Sequence, residues 1–92
     1  MNINDIRKLD GNLLLVFREL ARTRRTTEAA RRLGVTQSTI SHTLARLRDL
    51  FGDPLFVRRS HGLEPTRRAL ELMPRIETLV DLAGAVGSRD GF

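Results

Sequence analysis

Apolar residues recur along most of this chain at the spacing of a helix rather than a strand. Leu13, Val16, Phe17, Leu20 and Ala21 form one stripe, with Asp10 placed to cap its start. The stripe ends in the polar run Arg22-Thr23-Arg24-Arg25-Thr26. A shorter helix is expected over residues 27–33, with Glu28 in the first turn, where the helix dipole favours a carboxylate. Ala29, Ala30 and Leu33 give it a small apolar face, and Gly34 stops it. Thr36 is a natural N-cap for a third helix, in which Ile40, Leu44, Leu47 and Phe51 make a buried stripe. Its opposite face carries Gln37, Ser38, Ser41, His42, Ala45 and Arg46.

After Gly52-Asp53-Pro54 the pattern changes. Leu55–Arg59 reads as a strand, Ser60-His61-Gly62 as a turn, and Leu63-Glu64 as a return strand closed by Pro65. Thr66 then caps a last helix running to about Val86. The expected architecture is mainly α: a winged helix-turn-helix of three helices and a two-stranded wing, followed by a long linker helix. Residues 1–65 are the head, 66–87 the linker and dimerisation helix, and 88–92 a flexible tail.

Two short helices around a turn containing Gly34 have a mechanical logic. Ala29 and Ala30 let the helices approach closely, and Gly34 permits the sharp angle between them. The third helix can then enter a major groove by its N-terminal end and present Gln37, Ser38, Ser41 and His42 to base edges. Main-chain N–H groups at the helix starts near Thr27 and Thr36 suit phosphate oxygens. In the wing, Arg58 and Arg59 point to opposite faces of their strand, so one at most reaches the groove while the other grips phosphate.

On the last helix, Ala69, Met73, Ile76, Val80, Ala83 and Gly87 step by four and three, as in a coiled-coil seam. Leu70, Leu72, Leu79, Leu82 and Val86 widen that face. Such a width implies dimerisation through the seam, with a kink or restart at Pro74.

Composition sharpens the partner. Fifteen of the sixteen basic residues are arginine, the exception being Lys8. Residues 1–48 carry +6, residues 49–68 carry +1 and residues 69–92 carry −2. Arginine's planar fork fits phosphates and guanine edges, so a polyanion is expected for the first two thirds and another task for the last. The absence of cysteine excludes disulfides and thiolate metal sites and fits the cytoplasm. With only His42 and His61 as further soft ligands, neither a metal nor a cofactor is expected. No apolar run is long enough for a membrane span. Asp49, Asp53 and Glu64 lack a nucleophile or partner base, so they read as structural and enzymatic activity has no support. For Arg22, Arg24 and Arg25 a solvated face and a part in polyanion binding stand equally open.

The ordered set Ala29-Ala30, Leu33-Gly34-Val35-Thr36-Gln37-Ser38-Thr39-Ile40-Ser41 resembles the helix-turn-helix of LysR-type transcriptional regulators. Leu44, Leu47-Arg48 and Phe51-Gly52-Asp53-Pro54-Leu55-Phe56-Val57-Arg58 continue the likeness through the helix end and first wing strand. The latter run and Leu63-Glu64-Pro65-Thr66-Arg67-Arg68-Ala69 resemble the branch containing the nodulation regulators. The resemblance implies base contacts from Gln37, Ser38, Ser41 and His42, and a wing or minor-groove contact from Arg58. It implies phosphate contacts near Thr27, Thr36, Thr39, Arg46 and Arg59, and a homodimer joined by Ala69, Met73, Ile76, Val80 and Ala83. Ser38 stands where the family often has proline, His42 where it often has arginine, and Arg25 where it usually has a capping serine. The family's effector-binding domain is expected to lie outside these residues, so no small-molecule ligand is expected for this segment.

Double-stranded DNA is the partner these features favour. A helical protein–protein module with basic charge for solubility leaves Gln37, Ser38 and Ser41 unexplained. RNA or non-specific single-strand binding is disfavoured by a chain with four phenylalanines and no tyrosine or tryptophan.

Overall fold

In the computed structural model, which describes residues 2–87, the chain runs α1 (Ile3–Lys8), α2 (Gly11–Thr23), α3 (Thr26–Leu33), α4 (Gln37–Phe51), β1 (Phe56–Arg59), β2 (Gly62–Pro65) and α5 (Arg67–Gly87). The expected tail at 88–92 lies outside the described residues.

Each boundary has a local cause. The Asp10 carboxylate accepts from Leu13 N–H at 2.9 Å and starts α2. Thr36 Oγ1 accepts from Thr39 N–H at 3.1 Å and starts α4. Gly34 ends α3 at φ 69°, a conformation that costs glycine nothing and opens the angle toward α4. One element lies outside the three helices and wing expected for the head. Helix α1 has a reciprocal capping box between Asn2 and Asp5 but buries none of its own residues, so no apolar stripe advertises it.

The core forms where α2 is covered by α3, α4 and α5. Val16, Phe17, Leu20, Ala29, Ile40 and Leu47 are fully enclosed, and Leu55 and Phe56 close the wing end. Phe17 and Phe56 meet at 5.3 Å between ring centroids with a tilt of 59°, which ties the wing to the central helix.

The wing is a two-stranded antiparallel ladder pairing Phe56 with Pro65 and Arg59 with Gly62. Its first strand begins at Phe56, one residue later than expected, because Leu55 sits at φ 63°, outside strand conformation. That residue is held by Asp53, whose Oδ2 accepts from Leu55 N–H at 2.8 Å and from Thr66 Oγ1 at 2.7 Å. Thr66 Oγ1 in turn accepts from Ala69 N–H at 3.1 Å, so one carboxylate joins the α4–β1 turn to the start of α5. At the wing's other end, Leu63 N–H donates to the Arg24 carbonyl at 2.7 Å. A Cβ at Gly62 would stand 2.8 Å from that same oxygen, so this docking requires glycine.

The last helix excludes a restart at Pro74, one of the two expected alternatives, and corrects the expected seam. It continues through Pro74 without a restart, with Leu72 and Ile76 packed into the core on either side of the proline. The proposed dimer seam is also divided. Ala69 (0% exposed) and Ile76 (3%) belong to this chain's own core and are closed to a partner. Met73 and Val80 are half-buried against that core, and Ala83 is exposed. The open apolar face lies one step around the helix, at Leu79, Leu82 and Val86, while Leu70 is exposed on the other side of the seam. The reason is rotational: the helix turns Ala69, Leu72 and Ile76 inward for intramolecular packing, leaving Leu79, Leu82 and Val86 outside.

Candidate nucleic-acid interface

With Ile40, Leu44 and Leu47 buried, the helical period turns Gln37, Ser38, Ser41, His42, Ala45 and Arg46 to solvent together. The structure therefore gathers the four expected base-reading residues on one face of α4. Gln37 is steadied by Thr26, whose hydroxyl donates to Gln37 Oε1 at 3.5 Å, while the side-chain NH2 remains available as a donor. Thr36 and Thr39 are engaged with each other, their hydroxyls 3.0 Å apart, so what they can offer a phosphate is chiefly the amide end of α4.

The start of α4 faces the wing across a cleft of about 240 Å³ lined by Arg24, Arg25, Thr26, Thr27, Gln37 and Arg58. Arg25 occupies the N-cap position of α3 without a side-chain capping bond. Its guanidinium instead donates to the His61 carbonyl at 3.3 Å, bracing the wing turn against α3. The register puts Arg58 opposite Leu63, on the face that turns toward Gln37. Arg59 points to the other face, where its Nε lies 3.7 Å from Glu64. The two wing arginines are thus separated as strand alternation requires, and Arg58 alone lines the cleft.

The other flank of α4 opens on a cleft of about 400 Å³ lined by Asn12, Ser38, Thr39, His42, Thr43 and Arg46. Asn12 was not among the expected site residues. The capping pattern at Asp10 could have drawn attention to it, because the residues after an N-cap expose their main-chain donors.

Several arginines have structural work instead. Arg48 donates to the carbonyls of Pro54 and Phe56, both at 2.8 Å, and fixes the exit from α4. Arg22 is exposed but not a bare solvated face: it forms a two-point bond with Glu77 on α5 at 2.9 and 3.0 Å. That hydrogen bond raises the Arg22 pKa above its ordinary value, against the opposing effect of desolvation. Beneath it lies Glu19, a buried carboxylate missing from the expected residues, with Arg32 at 2.8 Å, Arg18 at 3.3 Å and Arg22 at 3.8 Å. The Arg32 contact is an ion pair without hydrogen-bond alignment, so Glu19 Oε1 is held by charge. Glu28 pairs with Arg31 along α3, and that bond holds its carboxyl below the usual range. Among the described residues, no group of three or more histidine or acidic side chains is arranged to hold a metal ion. No described helix is long and apolar enough to cross a membrane.

Two helices set at an angle by a left-handed glycine, the second exposing a polar face beside a short antiparallel hairpin, define a winged helix-turn-helix. Residues 12–70 match the family described as bacterial regulatory helix-turn-helix protein, lysR family, and the chain belongs to that family. Among curated relatives, HTH-type transcriptional regulator PhcA of Ralstonia nicotianae is 44% identical over 82 residues, covering 89% of this chain and 24% of PhcA. Nodulation protein D 2 of a Bradyrhizobium strain is 42% identical over 85 residues, covering 91% and 25%. A probable transcriptional regulator from Pseudomonas aeruginosa superposes with a TM-score of 0.83 at 39% identity, over 89% of this chain and 28% of that one. The DNA-binding domain of CbnR, solved as a complex with DNA, superposes with a TM-score of 0.80 at 27% identity, over 89% and 94%. The chain thus spans about a quarter of the length of the two curated relatives.

Proposed function

We propose that this chain is the sequence-specific, double-stranded-DNA-binding module of a dimeric LysR-type transcriptional regulator acting in the bacterial cytoplasm, with no enzymatic role. The observation that carries the reading is the exposed face of α4, whose polar N-terminal end stands beside Arg58 of the wing. A helix end of this kind fits a major groove, and the wing then lies along the neighbouring backbone or minor groove.

Gln37, Ser38, Ser41 and His42 read base edges, Gln37 by pairing with an adenine and the serines as donor or acceptor. Thr27, Thr36 and Thr39 bring helix-end amides to phosphates, joined by Arg46 and Arg59, while Arg58 enters the groove beside the wing. The two-fold partner packs on α5 through Leu79, Leu82, Ala83 and Val86, flanked by Met73 and Val80. A relative solved as a DNA complex on the same fold supports this reading.

The test is a pair of substitutions measured across a panel of duplexes. Gln37→Ala is expected to cost about 1–3 kcal/mol at one position of each half-site and to relax preference there. Arg59→Ala is expected to weaken every duplex about equally and to flatten the salt dependence by about one phosphate equivalent. Identical profiles for Gln37→Ala and Arg59→Ala would contradict the assignment. Affinity independent of salt would favour a protein-binding module.

A further inference from the structure

The cations sort into engaged and unengaged groups. Among the described residues, Arg18, Arg22, Arg31, Arg32, Arg59 and Arg67 have carboxylate partners. Arg24, Arg25 and Arg48 bond main-chain carbonyls. Arg7, Lys8, Arg46, Arg58, Arg68 and Arg75 do neither, and the first three of these line one exposed groove of about 550 Å³ between α1 and the second half of α4.

We propose that α1 is a second phosphate clamp: Arg7 and Lys8, with Arg46, grip the DNA backbone on the flank of α4 opposite the wing. This rests on the DNA-binding reading above and extends its footprint. Three observations support it. Arg46 lines both this groove and the cleft containing Ser38 and His42, so the surface is continuous with the base-reading face. Helix α1 contributes no buried residue, and only Leu9 at its end packs on the core. A capped helix that packs nothing has no structural use for its last-turn cations, which leaves them open to a ligand. Third, of the acids in the groove, Asp5 and Asp10 are occupied as helix caps, accepting main-chain N–H bonds at 3.1 and 2.9 Å. Both keep their charge, and with Asp49 they equal the groove's three cations in number, but none of the three acids makes an ion pair with Arg7, Lys8 or Arg46 among the described residues. A duplex backbone offers anions at a regular spacing that can engage the three cations together, which a single small anion would not.

The test uses the whole chain and a mixed-sequence duplex, titrated over a range of salt. Arg7→Gln with Lys8→Gln removes both charges while retaining good helix formers. The slope of log K against log salt is expected to flatten by up to about 1.8, at about 0.9 per phosphate contact, with the order of preference across duplexes unchanged. Hydroxyl-radical protection should be lost only at the outer backbone positions. The control, Arg68→Gln with Arg75→Gln, removes the same charge from α5. An equal flattening by that control would reduce the effect to net charge and overturn the clamp. An unchanged slope in the Arg7/Lys8 variant, with Gln37→Ala still relaxing preference, would overturn the clamp and leave the DNA-binding reading standing. Absence of salt-dependent duplex binding by the unaltered chain would overturn both.

Discussion

Single residues decide how the head is held together, and the sequence shows some of them only by type. Asp53 looked like a turn residue, and it is one, but its carboxylate also satisfies a buried leucine in left-handed conformation and the hydroxyl that starts α5. Asp53→Ala would leave the Leu55 N–H without its acceptor and free a strained backbone, at a cost of about 1–3 kcal/mol. Urea unfolding monitored by circular dichroism should show that loss, and Asp53→Asn should recover part of it. A variant as stable as the parent would mean that the wing turn is held by the Arg48 bonds to Pro54 and Phe56 instead. The polar face of α4 was legible because helix periodicity alone places Gln37, Ser38, Ser41 and His42 together. Glu19 was not legible: a charged residue on a mostly apolar stripe reads as exposed until α3 brings Arg32 over it.

At the scale of elements, α2 to α4 and the hairpin follow from periodicity, caps and glycines, which are local signals. Helix α1 escaped notice because its stability comes from capping and its surface is wet. The division of α5 escaped notice for the opposite reason. Its apolar residues announce a wide face, but which part turns inward depends on the docking of α2, a tertiary fact. The two-point Arg22–Glu77 bond and the Asp53–Thr66 contact then fix α5 to the head near both ends of its buried half. This division separates two substitutions that the seam alone would treat alike. Ile76→Glu places a carboxylate in the core and is expected to destabilise the head by several kcal/mol. Leu79→Glu with Leu82→Glu lies on the open face and should leave the fold intact while giving a monomer in sedimentation. A dimer that survives the double change would move the interface elsewhere.

For the whole molecule, charge and shape assign the two ends different work. The arginine-rich head carries the polar α4 face and the wing, whereas residues 69–92 carry −2 and an open apolar strip. One such head reads too few base pairs for a unique address, so the proposed pairing of two heads through α5 would supply the unit of specificity. The most direct measurement is selection of bound duplexes from a random pool, using the unaltered chain and Gln37→Ala in parallel. The account predicts enrichment of two related half-sites in two-fold arrangement, their centres separated by about 10 base pairs or a multiple. Preference should be lost at one position of each half-site in the variant. A bound pool with the base composition of the starting pool, or identical selected sites for both proteins, would contradict it.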